Sequence, residues 1–131
     1  MGSFADYWEN EILDHLFGKG SYTPPTIYVG LSTSEPADDA SGLAEPSGNA
    51  YARVSAAGAD WNSASGGAIA NANDITFPEA TGSWGTISHF ALFDAASAGN
   101  MLAHGALNES KAIGNGDTAK FAAGDLDVTL D

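Results

Sequence analysis

The spacing of apolar residues changes once along this chain, and that change constrains the fold more than any other feature. Phe4, Trp8, Ile12 and Leu16 recur every four residues, with Leu13 and Phe17 widening the stripe, as on one face of an α-helix. From Ile27 onward the period is two: Ile27, Val29 and Leu31 alternate with Tyr28, Gly30 and Ser32, as side chains do on the two faces of a strand. A pattern with one period does not settle into the other structure. The expected fold is therefore mainly β, a β-sandwich of immunoglobulin-like or jelly-roll-like form, opened by one N-terminal amphipathic α-helix.

Both helix ends carry signals. Ser3 reads as the N-cap, with Asp6 as its capping-box-like partner. Asp6, Glu9 and Glu11 place negative charge near the positive end of the helix dipole. Gly18 is suited to the left-handed residue that ends a helix, with Lys19 just beyond. Residues 1–20 are thus expected to form a helix or arm, and residues 21–131 a sandwich, within a single domain. The stripe is unusually aromatic for so short an element. Phe4, Trp8, Ile12, Leu16 and Phe17 are accordingly candidate interface residues, the alternative being that they pack on the domain's own sheet.

Further along, strands alternate with turn clusters. A polar stretch from Ser34 to Asn49 lacks periodicity and reads as a surface loop for a neighbour or target. If it binds a partner, its shortening is expected to leave melting unchanged but weaken binding to the particle. Tyr51 to Val54 reads as a short strand, and Ile75 to Phe77 as another ended by Pro78. The strongest strand runs from Trp84 to Asp94. Ile87, His89, Ala91 and Phe93 are expected on one face and Phe90 and Leu92 on the other, as for a central strand covered on both sides. Ala95 to Asn100 reads as a hairpin loop into Met101–Leu107, and Gly114 to Asp117 as a tight turn. In the last strand Leu126, Val128 and Leu130 alternate with Asp125, Asp127, Thr129 and Asp131. Short strands separated by such turns suit a sandwich.

Charge narrows the partners. Seventeen acidic side chains stand against four basic ones, a net −13 over 131 residues. Such a surface repels phosphate backbones and anionic lipid, so neither nucleic acid nor membrane is an expected partner. With no cysteine there are no disulfides. No apolar run reaches the roughly 18–20 residues that span a bilayer, and the first residues lack a signal peptide's basic and apolar regions.

The residues that carry chemistry elsewhere fall into no reactive pattern here. His15, His89 and His104 lie outside any metal-binding spacing, and no nucleophile elbow is present. Gly114-Asn115-Gly116 lacks the lysine and helix of a phosphate cradle. Glu35 with Asp38 and Asp39, or Asp125 with Asp127, offer oxygen ligands for calcium but without EF-hand spacing. They read as solvated carboxylates. A non-enzymatic protein without cofactors is expected.

Several segments carry a resemblance. These are Ser3-Phe4-Ala5-Asp6-Tyr7-Trp8-Glu9-Asn10 with Leu13-Asp14-His15-Leu16-Phe17-Gly18, and Ile27-Tyr28-Val29-Gly30-Leu31-Ser32-Thr33 with Glu35-Pro36. To them add Gly42-Leu43-Ala44-Glu45-Pro46, Tyr51-Ala52-Arg53-Val54, Ile75-Thr76-Phe77-Pro78, Gly82-Ser83-Trp84-Gly85-Thr86-Ile87 and Ala91-Leu92-Phe93-Asp94. Together they resemble a family of small tailed-phage virion structural proteins, usually labelled phage tail fibre proteins. The resemblance implies a virion component, made in the host cytoplasm and displayed on the phage particle.

Within that frame a compact, acidic domain without repeats suits a capsid decoration, or cement, protein. It would form a homotrimer and fasten to the major capsid protein or other virion proteins. The alternative is a tail fibre or tail-tip associated protein that takes part in host attachment through the Ser34–Asn49 loop. A second alternative, a small carbohydrate-binding domain, rests on Trp61, Trp84 and surface carboxylates.

Overall fold

The structure, a computed structural model, describes residues 2–130. Its elements in chain order are strand β1 (Gly2–Phe4), helix α1 (Asp6–Leu16), then β2 (Ile27–Ser32), β3 (Val54–Ala56), β4 (Ala68–Ala70), β5 (Ile75–Thr76), β6 (Gly85–Phe93), β7 (Met101–Ile113), β8 (Lys120–Phe121) and β9 (Asp127–Thr129). Seven strands form one sheet in the order β3-β2-β6-β7-β1-β9-β4, and β5 pairs with β8 in a second. The mainly β class with one N-terminal helix holds. The larger sheet curls over a core that includes Val29, Leu31, Phe90, Leu92, Leu126 and Val128. The smaller sheet covers that core from the other side. Phe121 of β8 places its ring 6.1 Å from Phe90 and 6.3 Å from Phe77.

The helix starts later than its capping pattern suggested. Ala5 is the N-cap and makes no side-chain cap bond. Ser3 is instead part of β1, antiparallel to β7 (Gly2↔Gly105, Phe4↔Ala103) and parallel to β9 (Gly2↔Val128, Ser3↔Thr129). Two flanking strands take up the backbone polar groups that a helical turn would otherwise use, so tertiary pairing overrides the local cap signal. Gly2 permits this position. A Cβ there would lie 2.6 Å from the Phe90 ring and 2.7 Å from the His104 carbonyl oxygen. Ala5 continues the attachment, its N–H donating to the Leu102 carbonyl at 2.8 Å.

At the other end the expected stop is present. Gly18 has φ +74°. Its N–H donates to the His15 carbonyl at 3.3 Å, and that of Lys19 to the Asp14 carbonyl at 2.8 Å. This pair of bonds is a Schellman motif, which satisfies carbonyls a helix end would leave open.

Strand β6 lies between β2 and β7 and buries side chains on both faces, as its composition suggested. Phe90 and Leu92 join the larger core, while Ala91 and Phe93 join a second cluster with Met101. Ile87, expected beside Phe93, belongs instead to the larger core. The register against β7 shifts between Ile87 and His89, and strict alternation fails at such an irregularity. Leu130, expected on the oily face of the last strand, lies past the end of β9 and is exposed. Asp131 lies outside the described residues.

One buried polar residue organises the seam between β9 and the preceding turn. Asn71 is fully buried. Its Nδ2 donates to the carbonyls of Asn73 and Ala122 at 2.9 and 3.0 Å, and its Oδ1 accepts from the N–H groups of Gly124 and Leu126 at 3.1 and 3.0 Å. A side-chain amide has donors and an acceptor to match such a turn.

Candidate functional site

The apolar stripe of the N-terminus divides in space. Phe4 reaches out from β1 and stacks on Trp8 of α1, ring centroids 4.7 Å apart. The Trp8 Nε1–H donates to the Tyr22 hydroxyl at 2.9 Å, and the Tyr22 N–H donates to His15 Nδ1 at 3.2 Å. These bonds tie α1 to the segment that follows it. Phe4, Trp8 and Ile12 then form one wall of a groove of about 520 Å³, whose other sides include Trp61, Ile69 and Leu130.

No residue of α1 is fully buried. Leu13, Leu16 and Phe17 are 53, 69 and 76 % exposed, and Leu130 at the groove is 62 % exposed. Of the candidate interface residues, Phe4, Trp8 and Ile12 therefore line a shared groove. Leu16 and Phe17 stand free at the helix end. Trp61, Ile69 and Leu130 were not among the candidates. Trp61, isolated among small residues, was the one visible signal.

The Ser34–Asn49 segment is more firmly held than its composition suggests. Pro36 is buried, and Ser32 Oγ donates to the Ser34 carbonyl at 2.7 Å while accepting from the Ala44 N–H at 3.1 Å. Glu45 anchors the far end. It accepts from Arg53 Nε at 3.0 Å, Arg53 Nη2 at 2.6 Å and the Tyr51 hydroxyl at 2.6 Å. The Arg53 guanidinium also caps the Ala95 and Ala98 carbonyls at 2.8 and 2.9 Å and lies 3.4 Å over the Phe93 ring. Burial first, and the bond to Glu45 second, push the Tyr51 phenol well above its ordinary pKa. Gly30 leaves room for this cluster, since a Cβ there would stand 2.9 Å from both Glu45 Oε2 and the Phe93 ring. The motifs around Gly30, Glu45, Tyr51 and Arg53 thus meet in one structural clamp.

Other candidates separate. Asp38 does not gather Glu35 and Asp39 around a cation. Its carboxylate receives His104 Nε2 at 2.8 Å and lies near those of Asp6 and Glu9. These acidic groups are largely solvated. His89 Nδ1 is 2.7 Å from Ser88 Oγ. Trp84 is buried, its ring edge-on to Tyr51 and its Nε1–H donating to the Asn49 carbonyl at 2.8 Å. It therefore presents no face to a sugar, which removes one of the two tryptophans on which a carbohydrate-binding domain rested. A second cavity of about 730 Å³ lies beside β7 and mixes Leu107, Glu109, Lys111, Asp117, Lys120 and Phe121.

The groove is an uncharged concavity at the surface. It is lined in part by Trp8 and Ile12 of α1, whose end carries the exposed Leu16 and Phe17. Comparison with known proteins bears on what that surface belongs to. A family model described as podophage GP4 fiber I protein gp80 matches residues 3–129. No curated protein matches the chain.

Proposed function

This chain belongs to that podophage fibre protein family, and from this premise we propose that it is a non-enzymatic module of the tail fibre assembly, fastened to another virion chain rather than forming a fibre shaft. The observation that carries the reading is the family match across residues 3–129 of a chain folded around one continuous sheet. A shaft is built from repeats or coiled coil, and among the described residues this chain has one α-helix, Asp6–Leu16. The capsid decoration role expected from compactness and acidity has less support, because the family's description names a fibre. Among the described residues no helix is long and apolar enough to cross a membrane.

Quantitative mass spectrometry of purified particles, with gold-labelled antibody against this chain, tests the reading. A few copies per particle and label at the tail are expected. Hundreds of copies spread over the head would overturn it in favour of decoration.

A further inference from the structure

We propose that this chain joins a second copy by exchanging its β1–α1 unit, β1 of one copy filling the slot between β7 and β9 of the other. The mode of joining does not depend on where in the particle the chain sits. The rest of the fold is incomplete without a β1. In the sheet order β3-β2-β6-β7-β1-β9-β4 that strand pairs with β7 on one side and β9 on the other. Its removal parts β3-β2-β6-β7 from β9-β4. The slot is also fitted to it. Thr129 Oγ1 donates to the Gly2 carbonyl at 3.2 Å, and Ala5, 1 % exposed, packs among Ala91, Phe93 and Met101.

The unit that supplies β1 ends at a distinct joint. The N–H groups of Phe17, Gly18, Lys19 and Gly20 donate to carbonyls of Leu13, His15 and Asp14. Tyr22 bonds to Trp8 and His15, with its ring 6.5 Å from that of Tyr7. All of these contacts return to α1, so residues 2–22 hold together as one piece. Residues 23–26 follow, and Thr23, Pro24 and Thr26 are exposed. Pro24 and Pro25 lack a backbone N–H and keep the residue before each extended. An extended, stiff joint does less than a flexible one to return a strand to its own slot.

Exchange needs no new complementary surface, because every contact made within one copy is remade between two. The balance is set by the concentration of neighbours against that of the unit at its own slot, on the order of mM for a short linker. Copies gathered in an assembly reach that range, and dilute chains do not. The net −13 on each copy opposes their approach, so added salt favours exchange.

Hinge length tests this in the full chain. Parent protein refolded in salt at about 1 mM should contain a dimer by light scattering. Deleting Pro24 and Pro25 shortens the reach by about 6 Å and should shift the folded chain from mostly monomer to mostly dimer after dilution. Inserting Gly-Ser-Gly-Ser after Pro25 should shift it back. Ser3 and Thr129 are register partners in β1 and β9, and the chain has no cysteine of its own. Refolding Ser3→Cys chains together with Thr129→Cys chains, then oxidising, should therefore link one kind to the other. No dimer from the parent, a shortened chain that is monomeric or unfolded, or a dimer whose two kinds of chain stay unlinked would overturn the inference. None of these results bears on the fibre reading, which the copy count and antibody label decide separately.

Discussion

At the scale of single residues, the buried polar groups matter most. Removing the Asn71 side chain leaves the Leu126 N–H without its acceptor and takes one bond each from the Gly124 N–H and the Asn73 and Ala122 carbonyls, of which Gly124 and Ala122 keep a backbone partner. Each buried group left open costs about 1–3 kcal/mol. Asn71→Ala should therefore lose about 2–4 kcal/mol in urea unfolding. Tyr51 gives a pH signature instead. Its phenol is held above its usual value in the folded chain, while in the unfolded chain it ionises near about pH 10. The stability it contributes is complete below that pH and is lost as pH rises toward the folded value. Between about pH 9 and pH 11 the parent protein should lose more stability than Tyr51→Phe, read from denaturant midpoints at each pH. Equal slopes would mean that the phenol does not couple to folding.

At the scale of elements, the Ser34–Asn49 segment behaves as part of the fold. Deleting residues 37–43 removes the Ala37–Ser41 backbone bond, the Ser34 hydroxyl's bond to the Gly42 carbonyl, and the Asp38 contacts to Asp6 and His104. Melting should fall by several degrees in calorimetry, against the expectation from polarity alone that it would not change. What the sequence revealed, and what it hid, follows the range of the interactions. Strand β2 was legible as Ile27–Ser32 because alternation is local. Gly18 was legible because a left-handed helix stop favours glycine. Residues Gly2–Phe4 were misread because their partners lie near Ala103 and Val128, beyond the reach of any local pattern. Strands β4 and β8 are too short, and β4 too rich in alanine, to show a period. The candidate site divides likewise. Phe4, Trp8 and Ile12 announced themselves by spacing, whereas Ile69 and Leu130 join them only through the pairing of β4 with β9.

At the scale of the whole molecule, charge is the main tunable term. A net −13 on 131 residues repels itself, and salt screens exposed charges over about 10 Å at 0.1 M. Adding sodium chloride from low ionic strength should raise the melting temperature by a few degrees, measured by scanning calorimetry. The Arg53–Glu45 pair, sheltered beneath the loop, should contribute little to that dependence. A fall in melting temperature with salt would show that exposed ion pairs outweigh repulsion.

The central seat of β1, with β7 on one side and β9 on the other, has a consequence for biosynthesis. Strand β1 leaves the ribosome well before β9 and must wait for residues near 129 before its parallel edge is satisfied. Until then the nascent polypeptide carries an unpaired, adhesive border. The sheet can close only after residues near 129 have been translated, so its completion is a late, concerted event rather than a progressive one.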